Sequence, residues 1–217
     1  MKRTIGKETV PARGIGAREI AAWRQQSIID ATMRCIARYS YSETTVDRIC
    51  AEANIARGLI HYHFGSKDAL MARTYQRLAA DLLNASREAA AKATNTEEKL
   101  TAIIEACFAA PVFKPSTVKV WLGFWSVAQS DPVIGNAHKA LYNAHRDTLK
   151  KLFDQIVQVC GTPVDGEFAA ATLTAVIDGF WLERARDPSS FKSVNALCGC
   201  MQVMETFLPH KPCAQNV

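Results

Sequence analysis

From about residue 19 onward the apolar positions recur every three or four residues, and no stretch alternates with period two for long enough to make a strand, so the pattern predicts an all-α chain. Ile20, Trp23, Ile28, Ala31 and Cys35 trace one face of a first helix that stops between residues 39 and 42. Thr44, with Asp47 three residues on, resembles a capping box and starts a short helix through about residue 53; a third covers about 56–63. Ser66 caps a long helix with Met71, Tyr75, Leu78 and Leu82 on one face, running to about Ala93. At ~1.5 Å per residue it spans about 40 Å, longer than a small domain needs, and can carry a signal between domains.

Thr94 and Asn95 ahead of Glu97 and Glu98 open a fifth helix, with Leu100, Ile103, Ile104, Cys107 and Phe108 on one face, closed by Pro111 and Pro115. A further helix holds residues 118–130. Asp131-Pro132 opens one to about 160, broken at Gly161-Thr162-Pro163. The last two cover about 165–186 and 190–207, stopped by Pro188 and Pro209, which makes about nine helices in all. The expected organisation is an arm over 1–18, a three-helix unit over 19–66, a larger helical unit over 67–208 and a tail over 209–217.

Charge changes this picture by its location. The chain has 217 residues and a net charge of +5; residues 1–75 carry 12 basic and 7 acidic side chains, and the other 142 residues carry 14 of each. A basic first third on a neutral body points to a polyanionic partner, nucleic acid or an anionic membrane. Residues 1–18 hold Lys2, Arg3, Lys7, Arg13 and Arg18 among glycines with no apolar face, which disfavours a membrane. No apolar run reaches the ~18–20 residues of a membrane span, and the start has no apolar core of a secretory signal, so a cytoplasmic location is expected. Seven scattered cysteines without a C-x-x-C pair argue against a disulfide framework or a zinc site, and no metal or cofactor is expected. Cys198 and Cys200 are the one close pair, open to a redox reading.

Two short helices joined by about three residues inside a basic three-helix unit meet the requirements of a helix-turn-helix. The joint falls at Asn54-Ile55, and asparagine tolerates the left-handed conformation that such a turn demands. Ile49, Ala53, Ile55 and Ile60 supply apolar contacts between the helices. The second helix presents Arg57, Leu59, His61, Tyr62 and His63, with Lys67 after its exit. Arg57 can read a guanine edge or hold a phosphate, Tyr62 and the histidines can donate to phosphates, and Lys67 is a point charge near the backbone. Thr45 and Arg48 stand where they can clamp phosphates across the groove. The plainer reading of His61 and His63 is surface histidines, or one packed under the next helix.

Residues 44–70, TTVDRICAEANIARGLIHYHFGSKDAL, resemble the DNA-binding signature of the TetR family of bacterial repressors, through Thr45, Val46, Ile49, Ala53, Ile55, Gly58, Ile60, Phe64, Lys67 and Leu70. Three positions depart from the pattern: Asn54 replaces a glycine, Ala56 a capping serine and His61 an aromatic residue. Losing the cap costs about 1 kcal/mol. The resemblance implies a homodimeric repressor on a palindromic operator, with small-molecule control from the second unit.

That second unit holds three of the four tryptophans. Trp121 and Trp125 are four apart on one helix face, with Phe124 between them; Asp178 and Trp181 are three apart on another. Together they can form an aromatic box with one carboxylate, which attracts a quaternary ammonium through the ring quadrupoles. Ordinary core packing, with Asp178 paired to Arg184, accounts for the same spacings. KVWLGFWSVA and AVIDGFWLERA resemble segments of the choline-responsive, BetI-type branch of the TetR family, which implies control of choline uptake and glycine betaine synthesis genes. Dimerisation is expected through the last two helices, with small residues at Ala169, Ala170, Ala171, Ala175 and Gly179 and apolar ones at Val194, Leu197, Met201 and Met204, which pair with their two-fold mates in a four-helix bundle.

Two other readings stay open. One is a TetR-type regulator with an apolar or aromatic effector. The other is a helical enzyme or a module that binds no DNA, against which stand the missing E-x-x-H, H-E-x-x-H, P-loop and G-x-S-x-G motifs.

Overall fold

The computed structural model describes residues 16–160, 164–189 and 191–208, so most of the predicted arm and the whole tail lie outside the described residues. Within them the chain is all-α: α1 (Ala17–Tyr39), α2 (Val46–Ala53), α3 (Arg57–Phe64), α4 (Lys67–Ala90), α5 (Thr96–Phe108), α6 (Pro115–Trp125), α7 (Pro132–Cys160), α8 (Gly166–Arg186) and α9 (Ser193–Thr206).

The polar residues that start these helices act as expected, with two shifts. Ser66 Oγ accepts from the Ala69 amide at 3.1 Å, Asn95 Oδ1 from Glu98 at 2.9 Å, and Asp131 Oδ1 from Val133 at 2.9 Å. The cap of α2 is Thr45 and not Thr44: the Thr44 hydroxyl is turned inward and donates to the Ser40 carbonyl at 2.6 Å, leaving Thr45 to accept from the Arg48 amide. Helix α6 begins at Pro115, which serves as its first residue and does not close the preceding helix, and it ends at Trp125 in a run of turns.

Two hydrophobic clusters divide the buried side chains. The smaller joins Ile28, Ile29, Cys35, Ile49, Ile60 and Leu70 from α1 to α4. The larger runs from α4 to α9 and takes in Ile36, the neighbour of Cys35 on α1. Its seam with the first three helices is close: a Cβ on Gly123 of α6 would stand 3.0 Å from Ile36 Cγ2, so a side chain there would require Ile36 to shift. Helix α4 also spans both clusters, from Leu70 in the smaller to Leu78 in the larger.

On α8 and α9, Ala169, Ala170 and Met204 are buried within this one chain, whereas Phe168, Ala175, Gly179, Leu182 and Val194 are exposed. The exposed positions of α8 recur at helical spacing and form an uncovered apolar and small-residue face. Among the described residues no helix is long and apolar enough to cross a membrane.

Candidate functional site

Two places bring chemistry-bearing residues together. The first is the α2–α3 unit. Asn54 ends α2 in the left-handed conformation, φ 53° and ψ 51°, and its successor starts the turn into α3. Ala56 takes the N-cap position of α3 with no side-chain bond, and the Leu59 amide bonds to the Ala56 carbonyl at 3.0 Å, so the first turn of this helix has no side-chain acceptor. Gly65, at φ 80°, closes α3 and passes the chain to Ser66 and α4.

Along α3, Arg57, Gly58, His61 and Tyr62 face outward, and Tyr62 is 80% exposed. Leu59 and His63 are half-buried and line a groove against Trp23, Arg24 and Ser27 of α1; the His63 ring stacks edge-on against Tyr62 at 4.9 Å. Arg57 reaches Asp47 at 3.5 Å with both side chains mostly exposed, a contact of little energetic weight. Arg48 is held more firmly: its guanidinium pairs with the Glu43 carboxylate at 3.2 Å, donates to the Glu43 carbonyl and lies 4.6 Å from the Tyr39 ring centre. Thr45 caps α2, and Lys67 is the first residue of α4, beside the exit of α3.

The second place is a small cavity of about 40 Å³ in the larger cluster. Its walls are Trp121, Trp125, Trp181 and Asp178, joined by Tyr142 and His145 from α7, Leu82 from α4 and Cys107 from α5. The Trp121 ring stands 6.5 Å from Trp125 and 6.0 Å, edge-on, from Trp181. Phe124 does not line the cavity: it lies beside Trp121 on α6 and is fully buried against Tyr75 at 5.1 Å and Tyr41 at 5.4 Å. Arg184 does not pair with Asp178. Its guanidinium lies over the rings of Phe113 and Phe191, at 4.9 and 5.5 Å.

The electrostatics of this cavity are unusual for a core. Burial raises Asp178 to about 6, against the opposing pull of a hydrogen bond from the Tyr142 hydroxyl and the charge of Arg146. Burial, helped by Arg146, pushes His145 down to about 4. At neutral pH the cavity therefore holds an ionised carboxylate beside a neutral imidazole. The indole Nε1 atoms of Trp125 and Trp181 are buried without a hydrogen-bond partner, and an indole can only donate. Three aromatic faces, one negative charge and two spare donors match a small cation that also carries an oxygen acceptor.

Tyr142 and His145 were not singled out from the sequence, because no motif surrounds them. A usable signal existed in the spacing of His138, Tyr142 and His145 at i, i+4 and i+7, which sets polar aromatic rings on one face of α7.

Comparison with known proteins bears on both places. Residues 28–74 match the family described as bacterial regulatory proteins of the tetR family, and residues 96–209 match the C-terminal region of BetI-type transcriptional repressors. The HTH-type transcriptional regulator BetI 2 of Chromohalobacter salexigens is 31% identical over 195 residues, covering 89% of this chain and 92% of that protein. BetI of Burkholderia thailandensis is 31% identical over 189 residues, covering 84% and 91%. Among solved structures, a transcriptional regulator of Pseudomonas aeruginosa superimposes with a TM-score of 0.77 at 30% identity, covering 89% of this chain and 92% of that one. A regulator of Saccharomonospora viridis crystallised with choline has the same fold, with a TM-score of 0.76 at 20% identity, covering 85% and 96%.

Proposed function

The chain belongs to the TetR family of bacterial transcriptional regulators, in its BetI-type branch, and on that basis we propose that it is a homodimeric repressor released from a palindromic operator by choline or a related quaternary ammonium compound. Residues 19–66 form the DNA-binding unit in this reading and 67–208 the effector-binding and dimerisation unit. Arg57, His61 and Tyr62 reach the major groove, Thr45, Arg48 and Lys67 hold phosphates at its edges, and Leu59 and His63 set the pose of α3 against α1. The uncovered face of α8 with Val194 of α9 meets its own copy, so that two α3 helices address half-sites about one turn, ~34 Å, apart. The target genes would be those of choline uptake and glycine betaine synthesis.

The observation that carries the effector assignment is the ionised Asp178 enclosed with Trp121, Trp125 and Trp181. An anionic carboxylate in an apolar box is costly when empty and is compensated by a cation, each good ring contact adding roughly 2 kcal/mol once desolvated. A purely apolar effector leaves that charge uncompensated.

A thermal-shift and tryptophan-fluorescence screen tests the reading. Choline and tetramethylammonium should raise Tm and change the fluorescence, while uncharged hydrophobic compounds of similar size should not. Asp178→Asn should weaken choline binding about a hundredfold, or about 3 kcal/mol. Equal binding by the variant, or a response to apolar compounds alone, would favour the apolar-effector reading.

A further inference from the structure

Tyr75 lies behind the cavity wall, on α4, about two turns after its first residue Lys67. It is fully buried, and the two sides of the cavity converge on it. From the aromatic side, Trp121 meets the Tyr75 ring edge-on at 5.6 Å. From the carboxylate side, Tyr142 lines the cavity with Asp178 and its hydroxyl interacts with that carboxylate, the Tyr142 ring packs 4.4 Å from the His138 imidazole, and His138 Nδ1 is 2.9 Å from the Tyr75 hydroxyl. A phenylalanine would fill the same space without the cost of burying a hydroxyl, so packing alone does not call for a tyrosine here. The hydroxyl ties α4 to α7 at one point, through a bond of restricted length and angle.

Taking the cation site above as given, we propose that Tyr75 is the positioning residue through which the state of the cavity reaches the DNA-binding unit, along the chain Asp178–Tyr142–His138–Tyr75. A cation drawn to Asp178 competes with the Tyr142 hydroxyl for the carboxylate. The Tyr142 ring then shifts against His138, and the His138–Tyr75 bond carries the shift to α4. Close packing leaves little slack to absorb it. Since Gly65 and Ser66 join α3 directly to α4, movement in the first turns of α4 is movement of α3.

The test uses the full chain, an operator fragment obtained by in-vitro selection, and choline chloride as the probe. Tyr75→Phe keeps the ring and removes only the hydroxyl. It should bind choline within about twofold of the wild type while the choline-induced change in operator affinity shrinks at least about fivefold. His138→Asn, which keeps a hydrogen-bonding group near Nδ1, should retain more of that change than His138→Leu. Full coupling in Tyr75→Phe overturns the proposal.

A second arm needs no ligand. Asp178→Ala removes the acceptor from the Tyr142 hydroxyl and should alter hydrogen exchange in residues 67–75 severalfold in the wild-type background, but less than about twofold beside Tyr75→Phe. An equal effect in both backgrounds, or none in the first, also overturns it. Failure of choline to bind the wild type would remove the cation reading, and the second arm would then decide the relay alone.

Discussion

The α1–α3 unit keeps its polar chemistry in water, whereas the α4–α9 body takes a charge into its core. Around α3, Arg57 and Asp47 are both mostly exposed, and Tyr62 stands clear of the surface. Such groups cost the fold little and are free to change partners. In the cavity, Asp178 and His145 are held away from water, and burial shifts each toward its neutral form. There the functional group opposes the fold until something compensates it. The difference fits two kinds of partner: a polyanion that arrives from solvent, and a small cation that must be enclosed.

The largest expected effect tests the buried side of this contrast. Asp178 is raised from 3.8 to about 6, so between those values the folded chain holds more protons than the unfolded one at this site, and its contribution to stability falls as pH rises from about 4 to about 6. His145 is lowered from 6.5 to about 4, so the unfolded chain holds more protons there, and its contribution falls as pH drops through the same range. The two nearly cancel in the ligand-free wild type. Asp178→Asn should therefore be more stable than the wild type at pH 7, and that advantage, roughly 3 kcal/mol, should vanish by pH 4. Paired urea denaturations at pH 7, 5.5 and 4 measure it. A pH-independent difference would mean that Asp178 is solvated and that the contrast between the two regions is unfounded.

The exposed side should respond through DNA and not through stability. Arg57→Ala is expected to lower operator affinity about tenfold and to relax base preference at the position it contacts, while the slope of log K against log salt changes less than in Lys67→Ala, which should flatten it by about one unit per half-site. The unfolding free energy of Arg57→Ala should stay within about 0.5 kcal/mol of the wild type. Fluorescence anisotropy across a salt series, with urea denaturation beside it, separates the two quantities. A large loss of stability would place Arg57 in the fold and not at the groove.

What could be read from the sequence divides along the same line. The helix-turn-helix was legible because its signals are local: Asn54 at the left-handed turn, Ser66 at a cap, Ile49 and Ile60 at the spacing of a shared core. Trp121, Trp125, Asp178 and Trp181 were legible as two pairs, since each pair sits on one helix. Phe124 was not distinguishable from its tryptophan neighbours, because the three rings lie within about 100° on α6 and only the tertiary contacts with Tyr75 and Tyr41 draw it away from the cavity. Tyr142 and His145 escaped notice because only the packing of α7 on α8 brings them to Asp178. Thr44 and Thr45 carry the same hydroxyl, and the choice between them was made by the Ser40 carbonyl four residues back, through the backbone path of the turn that follows α1, which side-chain type alone does not report.

The smallest expected effect lies at the start of α3, where the exposed unit has given up an ordinary stabilising contact. Ala56 occupies an N-cap with extended backbone, φ −74° and ψ 145°, and no side-chain bond. Ala56→Ser adds a side-chain acceptor to the first turn of α3, where the Leu59 amide bonds only to the Ala56 carbonyl, and should raise stability by about 1 kcal/mol. If the uncapped amides of α3 serve only the fold, operator affinity will be unchanged in the variant. If they meet a phosphate instead, the new hydroxyl competes for them, and affinity should fall while stability rises. Measuring both on one variant shows whether the exposed unit, like the cavity, leaves a polar group unsatisfied in anticipation of its ligand, and a gain in both would show that Ala56 is a plain defect in the helix.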